Sequence, residues 1–304
     1  MEEKESFEMY KIAGHTMGTP EYTVFEAIEL FHKIGLDGAE IVIQDGYKSG
    51  LPTECSMELL QQIKDCASAN HIEIPCLTPY NSRFNALDED VRRSEIEAIG
   101  RVIDYCKFLG ARYIRIYGGN VAAGEEGDHW NEKHAKLVAS MRELGDMASE
   151  KGVTLVIENH FNTMTVSARQ SAETIREINH PNVKILYDQA NLTFTGNEDW
   201  PEAIELQKGL VGHMHVKDLI FKGENHAFVG NDDVSHPDEN SRNVITRIVG
   251  EGVIEWPRIL KKMKEDGYDG WLSLEYERRW HPDDIPDASI GMKKSADYLK
   301  TIQL

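Results

Sequence analysis

Four stretches decide how this chain folds: Val153-Thr154-Leu155-Val156-Ile157-Glu158, Val183-Lys184-Ile185-Leu186-Tyr187-Asp188, Leu210-Val211-Gly212-His213-Met214-His215 and Gly270-Trp271-Leu272-Ser273-Leu274-Glu275. The first two are apolar runs and the other two are mixed, but all read as short strands buried on both faces, as strands of parallel sheets are. Each ends on a carboxylate or an imidazole. One such residue means little, because a lone acid at a strand end is usually a loop cap or an ion-pair partner. Four in succession, each after a helical segment, predict a parallel barrel that gathers ligands at one rim.

Outward from these stretches, strands and helices alternate along the whole chain. Strands are expected over 10–15, 39–43, 72–77 and 112–117, with the four above following. Helices are expected over 21–34, 54–70, 88–109, 128–151, 167–179, 199–207, 255–266 and 287–301, several closed by Gly or by His180-Pro181. Eight β units without a composition shift favour a single (β/α)8 barrel over 1–304. An open doubly wound sheet is the alternative, but no G-x-G-x-x-G follows the first strand. One long stretch, 218–252, is rich in Gly, Asn, Asp and His and reads as irregular. Its length and its place after strand seven suggest a lid or a partner surface.

Composition narrows the function classes. The 304 residues carry a formal net charge of −19, which argues against a nucleic-acid surface, since phosphates are met by Lys and Arg. The charged opening Met1-Glu2-Glu3-Lys4-Glu5 has no signal-peptide core, and no run reaches the ~20 apolar residues of a membrane span. Cys55, Cys66, Cys76 and Cys106 form no C-x-x-C pair and read as reduced thiols. A cytoplasmic protein acting on an uncharged or modestly charged small molecule is the expectation.

In a barrel, Glu158, Asp188, His215 and Glu275 would face one another across the axis. Three bunched carboxylates repel unless a cation sits among them. An oxygen-rich set with one imidazole suits Mn²⁺, Mg²⁺ or Co²⁺. Such an ion polarises a carbonyl or hydroxyl pair, and carboxylates beside it can take a proton from the adjacent carbon and return it. Glu158 and Glu275 are therefore candidate acid/base groups as well as ligands. His160 lies two residues past Glu158 and, if the strand continues, points the same way, as base or substrate contact. His213 shares the face of His215, as ligand neighbour, substrate contact or buried core imidazole. Lys217 continues that face and could bind a sugar oxygen. His15, Gln44, Arg115 and Tyr117, on other strand ends, could line the pocket. Trp130, Trp256, Trp271 and Trp280 read first as core or rim packing, with Trp280-His281-Pro282 placed to shape a pocket mouth.

Leu155–His160, Ile185–Asp188, Gly212–Asp218 and Gly267–Glu275, in that order, resemble the sugar phosphate isomerase/epimerase family, the xylose-isomerase-like barrels. Gly250-Glu251-Gly252 followed by Trp256 is similar to the family's G-x-G-x-x-x-W. The resemblance covers nearly the whole chain and implies Glu158, Asp188, His215 and Glu275 as ligands of one divalent ion, manganese first. It implies isomerisation, epimerisation, dehydration or cleavage of a carbohydrate. Ketose 3-epimerases carry a substrate-binding His three residues after the metal Asp; here it is Asn191. They also carry an Arg soon after the strand-seven motif, where Asp218-Leu219-Ile220 stands. Both departures speak against a free-ketose epimerase. A narrower resemblance, in Tyr187–Leu192 and the long stretch after Val216-Lys217-Asp218, is to the α subunits of bacterial C-glycoside deglycosidases. It implies a manganese-dependent lyase acting on a 3-oxo-glucoside, with His160 as base and a small β subunit as partner. Inosose-type dehydration, an apurinic-site nuclease (disfavoured by the charge) and a non-catalytic sugar-binding barrel are the competing classes, and an oligomer is expected.

Overall fold

Strands buried on both faces shape this computed structural model, which describes residues 10–121, 129–224, 226–228 and 242–304. The strands are β1 Ile12–His15, β2 Gly38–Ile43, β3 Gly50–Leu51, β4 Cys76–Pro79, β5 Tyr113–Tyr117, β6 Thr154–Glu158, β7 Val183–Asp188, β8 Val211–Val216, β9 Asp218–Phe221, β10 Val244–Arg247 and β11 Leu272–Leu274. The α-helices are α1 Val24–Lys33, α2 Met57–Ala69, α3 Glu89–Leu109, α4 Trp130–Lys151, α5 Ala168–Ile178, α6 Gln189–Gly196, α7 Trp200–Gln207, α8 Trp256–Glu265 and α9 Ala288–Lys300. Among the described residues, β1, β11, β8, β7, β6, β5, β4 and β2 run parallel in that order, and pairing of β1 with β2 closes the ring. This is the (β/α)8 barrel that the alternation predicts.

Local chemistry sets the helix ends. Thr23 and Glu26 make a reciprocal capping box at α1, and Ser167 and Gln170 make another at α5, each satisfying otherwise orphaned amides. Gly110, at φ 81°, ends α3 in the left-handed conformation that glycine adopts at little cost.

Each strand shows two faces. On β6, Leu155 and Ile157 join the large apolar shell between strands and helices. Val156 instead joins Cys76, Tyr113 and Leu186 in a small separate cluster inside the barrel. Two positions further along the same strands stand Thr78, Arg115, Glu158 and Asp188. Period-two alternation thus carries each strand from an apolar plug to a polar upper lumen. The pairing of β7 with β8 slips by one residue at Gly212, where Ile185 pairs with Val211 but Leu186 with His213. A one-residue slip exchanges the faces of a strand, and this one sets His213 and His215 toward the lumen.

The 218–252 stretch departs from the expectation of an irregular segment. β9 and β10 pair antiparallel, Val244 with Phe221 through Arg247 with Asp218. Their strands lie too far apart in sequence for a short turn signal to announce them. Residues 225 and 229–241, and the expected helix start at 128, lie outside the described residues. α6 was also unannounced, because Gln189–Gly196 has no amphipathic period and opens on the side chain of Asp188. Strand β4 begins at Cys76 rather than 72, since Pro75 brings no amide to a ladder.

Candidate metal centre and the pocket above it

The four strand-end residues meet. Donor atoms of Glu158, Asp188, His215 and Glu275 all lie within 4.8 Å of one another. Glu158, Asp188 and His215 are fully buried and Glu275 nearly so. Asp188 is also the cap of α6, its Oδ1 accepting from the Asn191 amide at 2.9 Å. One carboxylate therefore both starts a helix and turns its second oxygen toward the lumen.

Each of the three acids has a cationic partner, and in two of them the partner outweighs burial. Arg115 Nε donates to Glu158 Oε2 at 2.6 Å. Burial would raise the Glu158 pKa, but the guanidinium outweighs it and holds the group at about 2. Lys217 Nζ donates to Glu275 Oε2 at 2.6 Å and to Glu277 Oε1 at 3.0 Å. Burial likewise opposes ionisation of Glu275, yet Lys217 and His215 hold it well below the carboxylate range. Asp188 is the exception. Lys217 Nζ lies 3.0 Å from its Oδ2, but burial dominates, Glu275 and Glu158 add repulsion, and the carboxyl is pushed up to about 7.

These residues fit a hard divalent cation. Asp188 Oδ2 and His215 Nδ1 make no hydrogen bond of good geometry. The Nδ1 atom instead stands 3.4 Å from Glu158 Oε1 and 3.3 Å from Glu275 Oε1. A buried donor set of carboxylate oxygens with one imidazole nitrogen, one acid undercompensated, is what Mn²⁺, Mg²⁺ or Co²⁺ would satisfy.

Beneath the four, Glu40 on β2 is fully buried and accepts from His213 Nε2 at 2.9 Å, His215 Nε2 at 3.1 Å and Thr78 Oγ1 at 2.5 Å. Burial opposes its charge, but the surrounding imidazoles of His215, His15 and His213 hold it well below its usual range. Glu40 was not among the residues expected from the sequence. The signal available was a single acid inside the otherwise apolar Ala39-Glu40-Ile41-Val42-Ile43.

The other candidates divide. Asn191 Nδ2 bridges Glu158 Oε1 at 3.2 Å and the Asn159 carbonyl at 3.0 Å, so it orients a ligand. His213 lies below the set, its ring stacked on Tyr113 at 5.3 Å. His15 is fully buried, edge-on to His215 at 5.4 Å, and burial lowers its pKa to about 4. Gln44 stands at the end of β2, its backbone amide bonded to the Leu51 carbonyl. His160 lines the pocket above the ligands, with Arg115, Tyr117, Lys217 and Glu275. Its Nδ1 stands 3.0 Å from the Phe161 carbonyl, which only accepts, so Nδ1 carries the proton and Nε2 the lone pair. Burial lowers its pKa to about 4, leaving the ring neutral at pH 7.

The pocket's upper wall is apolar. Phe161, Phe194 and Phe228 form a triangle with ring centroids 6.0, 5.4 and 5.5 Å apart, and Met17, Leu219, Val244 and Trp280 complete it. The β9–β10 pair is pinned over this space. Asp218 accepts from the amides of Leu219, Gly250, Gly252 and Ile254. A side chain on Gly252 would collide with that carboxylate. Trp256, fully buried, donates from Nε1 to the Lys217 carbonyl at 3.1 Å, which gives the G-x-G-x-x-x-W pattern a structural role. Among the described residues no helix is long and apolar enough to cross a membrane.

Comparison with known proteins places this geometry. An inosose dehydratase of Geobacillus thermodenitrificans (strain NG80-2) is 28% identical over 142 residues, 47% of this chain and 46% of that one. Across the first three such relatives the matched stretch spans 46% to 65% of their length. Two solved structures share the fold: a 3-keto-D-glucoside 4-epimerase from E. coli, with TM-score 0.73 and 15% identity over 97% of this chain and 100% of that one, and a D-psicose 3-epimerase, with TM-score 0.74 and 17% identity over 96% and 99%. The family description "Xylose isomerase-like TIM barrel" matches residues 28–302, and the chain belongs to that family.

Proposed function

We propose that this protein is a divalent-metal-dependent enzyme that removes a proton next to a carbonyl of a carbohydrate, and that its reaction is eliminative cleavage of a 3-oxo-glycoside. The observation that carries this reading is the two-part pocket. Its floor holds Glu158, Asp188, His215, Glu275, Lys217 and His160; its wall is the Phe161–Phe194–Phe228 triangle. A polyol fits the floor. A flat apolar group joined to the sugar fits the wall, since stacked or edge-on aromatic contacts favour it.

Glu158, Asp188, His215 and Glu275 would hold the ion, manganese before magnesium or cobalt, and the ion would supply Lewis acidity beside the sugar carbonyl. The chain's own groups do the remaining work. Neutral His160 takes the C2 proton at Nε2, the pair left behind forms the C1–C2 double bond, and the C1 bond to the aglycone breaks. The aglycone departs with the electron pair of the broken C1 bond and takes up a proton, which the His160 imidazolium formed in the first step can return. Lys217 donates to a sugar oxygen while still paired with Glu275. Asn191 keeps Glu158 in register, and Glu275, low in pKa, serves as the second acid/base group. The aromatic wall and the β9–β10 cover keep water from the reacting carbons. His15, His213 and Gln44 support the floor from below and beside it.

A second reading is favoured by the inosose dehydratase relatives. There the same C–H is broken but hydroxide leaves as water, and the aromatic wall has no partner in the substrate. We further infer a cytoplasmic single-domain protein over 1–304 that forms oligomers, with a small β subunit docking over 218–252; mass measurement of the purified complex checks the assembly. The deciding experiment incubates the metal-loaded enzyme with inososes, free ketoses and aryl 3-oxo-glucosides in deuterated water. Aglycone release supports the lyase, water loss from an inosose supports the dehydratase, and exchange without net conversion supports an isomerase. No exchange into any substrate overturns the proton-abstraction reading. His160→Gln should slow turnover about 10³-fold without lowering metal content.

A further inference from the structure

Glu40 has no part in the chemistry above, yet it is among the most heavily engaged side chains in the lumen. It is fully buried on β2, three strands from β8 around the ring. Its Oε1 lies 3.1 Å from His215 Nε2, 3.5 Å from His15 Nε2 and 2.5 Å from Thr78 Oγ1; its Oε2 lies 2.9 Å from His213 Nε2. An ionised carboxylate only accepts. Nε2 of His215 therefore carries a hydrogen, and Nδ1 is the ring nitrogen that faces Glu158 and Glu275. A metal-ligating imidazole needs this arrangement, one nitrogen bare and the other anchored.

We infer that Glu40 is the positioning residue of the ion site: it sets the tautomer and the ring angle of His215, so that Nδ1 is the atom that meets the cation. Two further features of the lumen support this. His213, one inward step below on β8, binds the other carboxylate oxygen, so Glu40 cannot rotate away from His215 without breaking a second buried hydrogen bond. Thr78, on the neighbouring strand β4, donates to the same oxygen that His215 uses, which orients the carboxylate further. The apolar plug of Cys76, Tyr113, Val156 and Leu186 lies in the barrel interior as well, so water is no substitute acceptor. The inference rests on the metal-site reading, and its test separates the two.

Histidine labelled with ¹⁵N, observed by long-range ¹H–¹⁵N NMR on the Mg²⁺-loaded protein, should place His215 in the Nε2–H form. Mn²⁺ affinity is then measured by chelator competition on wild type and Glu40→Gln. The amide replaces one of the two acceptor oxygens by a donor, and affinity should fall roughly 10–100-fold, with helical content unchanged by circular dichroism. An Nδ1–H tautomer in the wild type, or equal Mn²⁺ affinity in the two proteins, overturns the role of Glu40. Absence of any Mn²⁺ uptake by the wild type instead overturns the metal site itself. If Glu40→Gln does not fold, the wild-type spectrum still decides.

Discussion

The two faces of β6 obey opposite rules. Leu155 and Ile157 look outward into the apolar shell, where many side chains share one non-directional contact surface. Val156 and Glu158 look inward, where Glu158 is held by Arg115, by Asn191 and by the space it shares with His215 and Glu275. The shell stores stability in redundant contacts. The lumen stores charge in particular pairs, each of which matters because the buried partner cannot turn to water. Loss of an outer side chain should therefore be felt in unfolding and spared in chemistry, whereas loss of one of the crowded inner acids, whose cation keeps other partners, should fall chiefly on chemistry.

The strongest way to break this contrast is Glu275→Gln. It removes a ligand and an acid/base group while Lys217 keeps Asp188 and Glu277 as partners. Turnover should drop by about 10⁴-fold with the melting temperature nearly unchanged; retained turnover in a steady-state assay would undo the assigned role. The counterpart on the outer face is Leu155→Ala. A buried leucine truncated to alanine costs about 2–5 kcal/mol, read by urea denaturation, whereas turnover per folded molecule should stay within about twofold of the wild type. A large loss of turnover with little loss of stability would reverse the contrast.

A smaller effect is expected at Phe194, on the pocket wall. Phe194→Ala should raise KM for aryl 3-oxo-glucosides by about fivefold, in line with ~1 kcal/mol per aromatic pair, and leave kcat and inosose dehydration unaffected. Equal effects on both substrates would mean that the wall does not read the aglycone. The smallest effect concerns pH. The His160 ring takes its proton at about 4 in the fold and near 6.5 in the unfolded chain. Between those values the unfolded state binds more protons, so the His160 contribution is present above about 6.5 and is lost as pH falls toward 4. His160→Gln lacks this group, and its stability should decline less steeply across that window in urea titrations. Parallel profiles for the two proteins would show that His160 is not held neutral.

The placement of the four ligand-type residues was legible in the sequence. Glu158, Asp188 and Glu275 stand at or just beyond the ends of β6, β7 and β11, and His215 within β8, so each sits toward the C-terminal rim of the barrel. Position along a strand is local information, and β periodicity then assigns the face. Arg115 was readable only as a rim candidate, because which acid it meets depends on the closeness of β5 and β6 and not on any spacing in the chain. The β9–β10 pair and α6 escaped for different reasons, the one lacking a turn signal and the other lacking an amphipathic stripe.

Sequence alone determined the repeating β/α order, the barrel it closes into and the four ligand-type residues along its later strands, because all of these follow from short-range periodicity and from where apolar runs stop. Only the tertiary structure decided what lies across the axis: that Glu40 of β2 reaches the histidines of β8, that Lys217 joins Glu275 and Asp188, and that three phenylalanines from separate segments form one wall. Strands distant in the chain become neighbours through barrel closure, and no local pattern of residues encodes the distance between side chains that meet there.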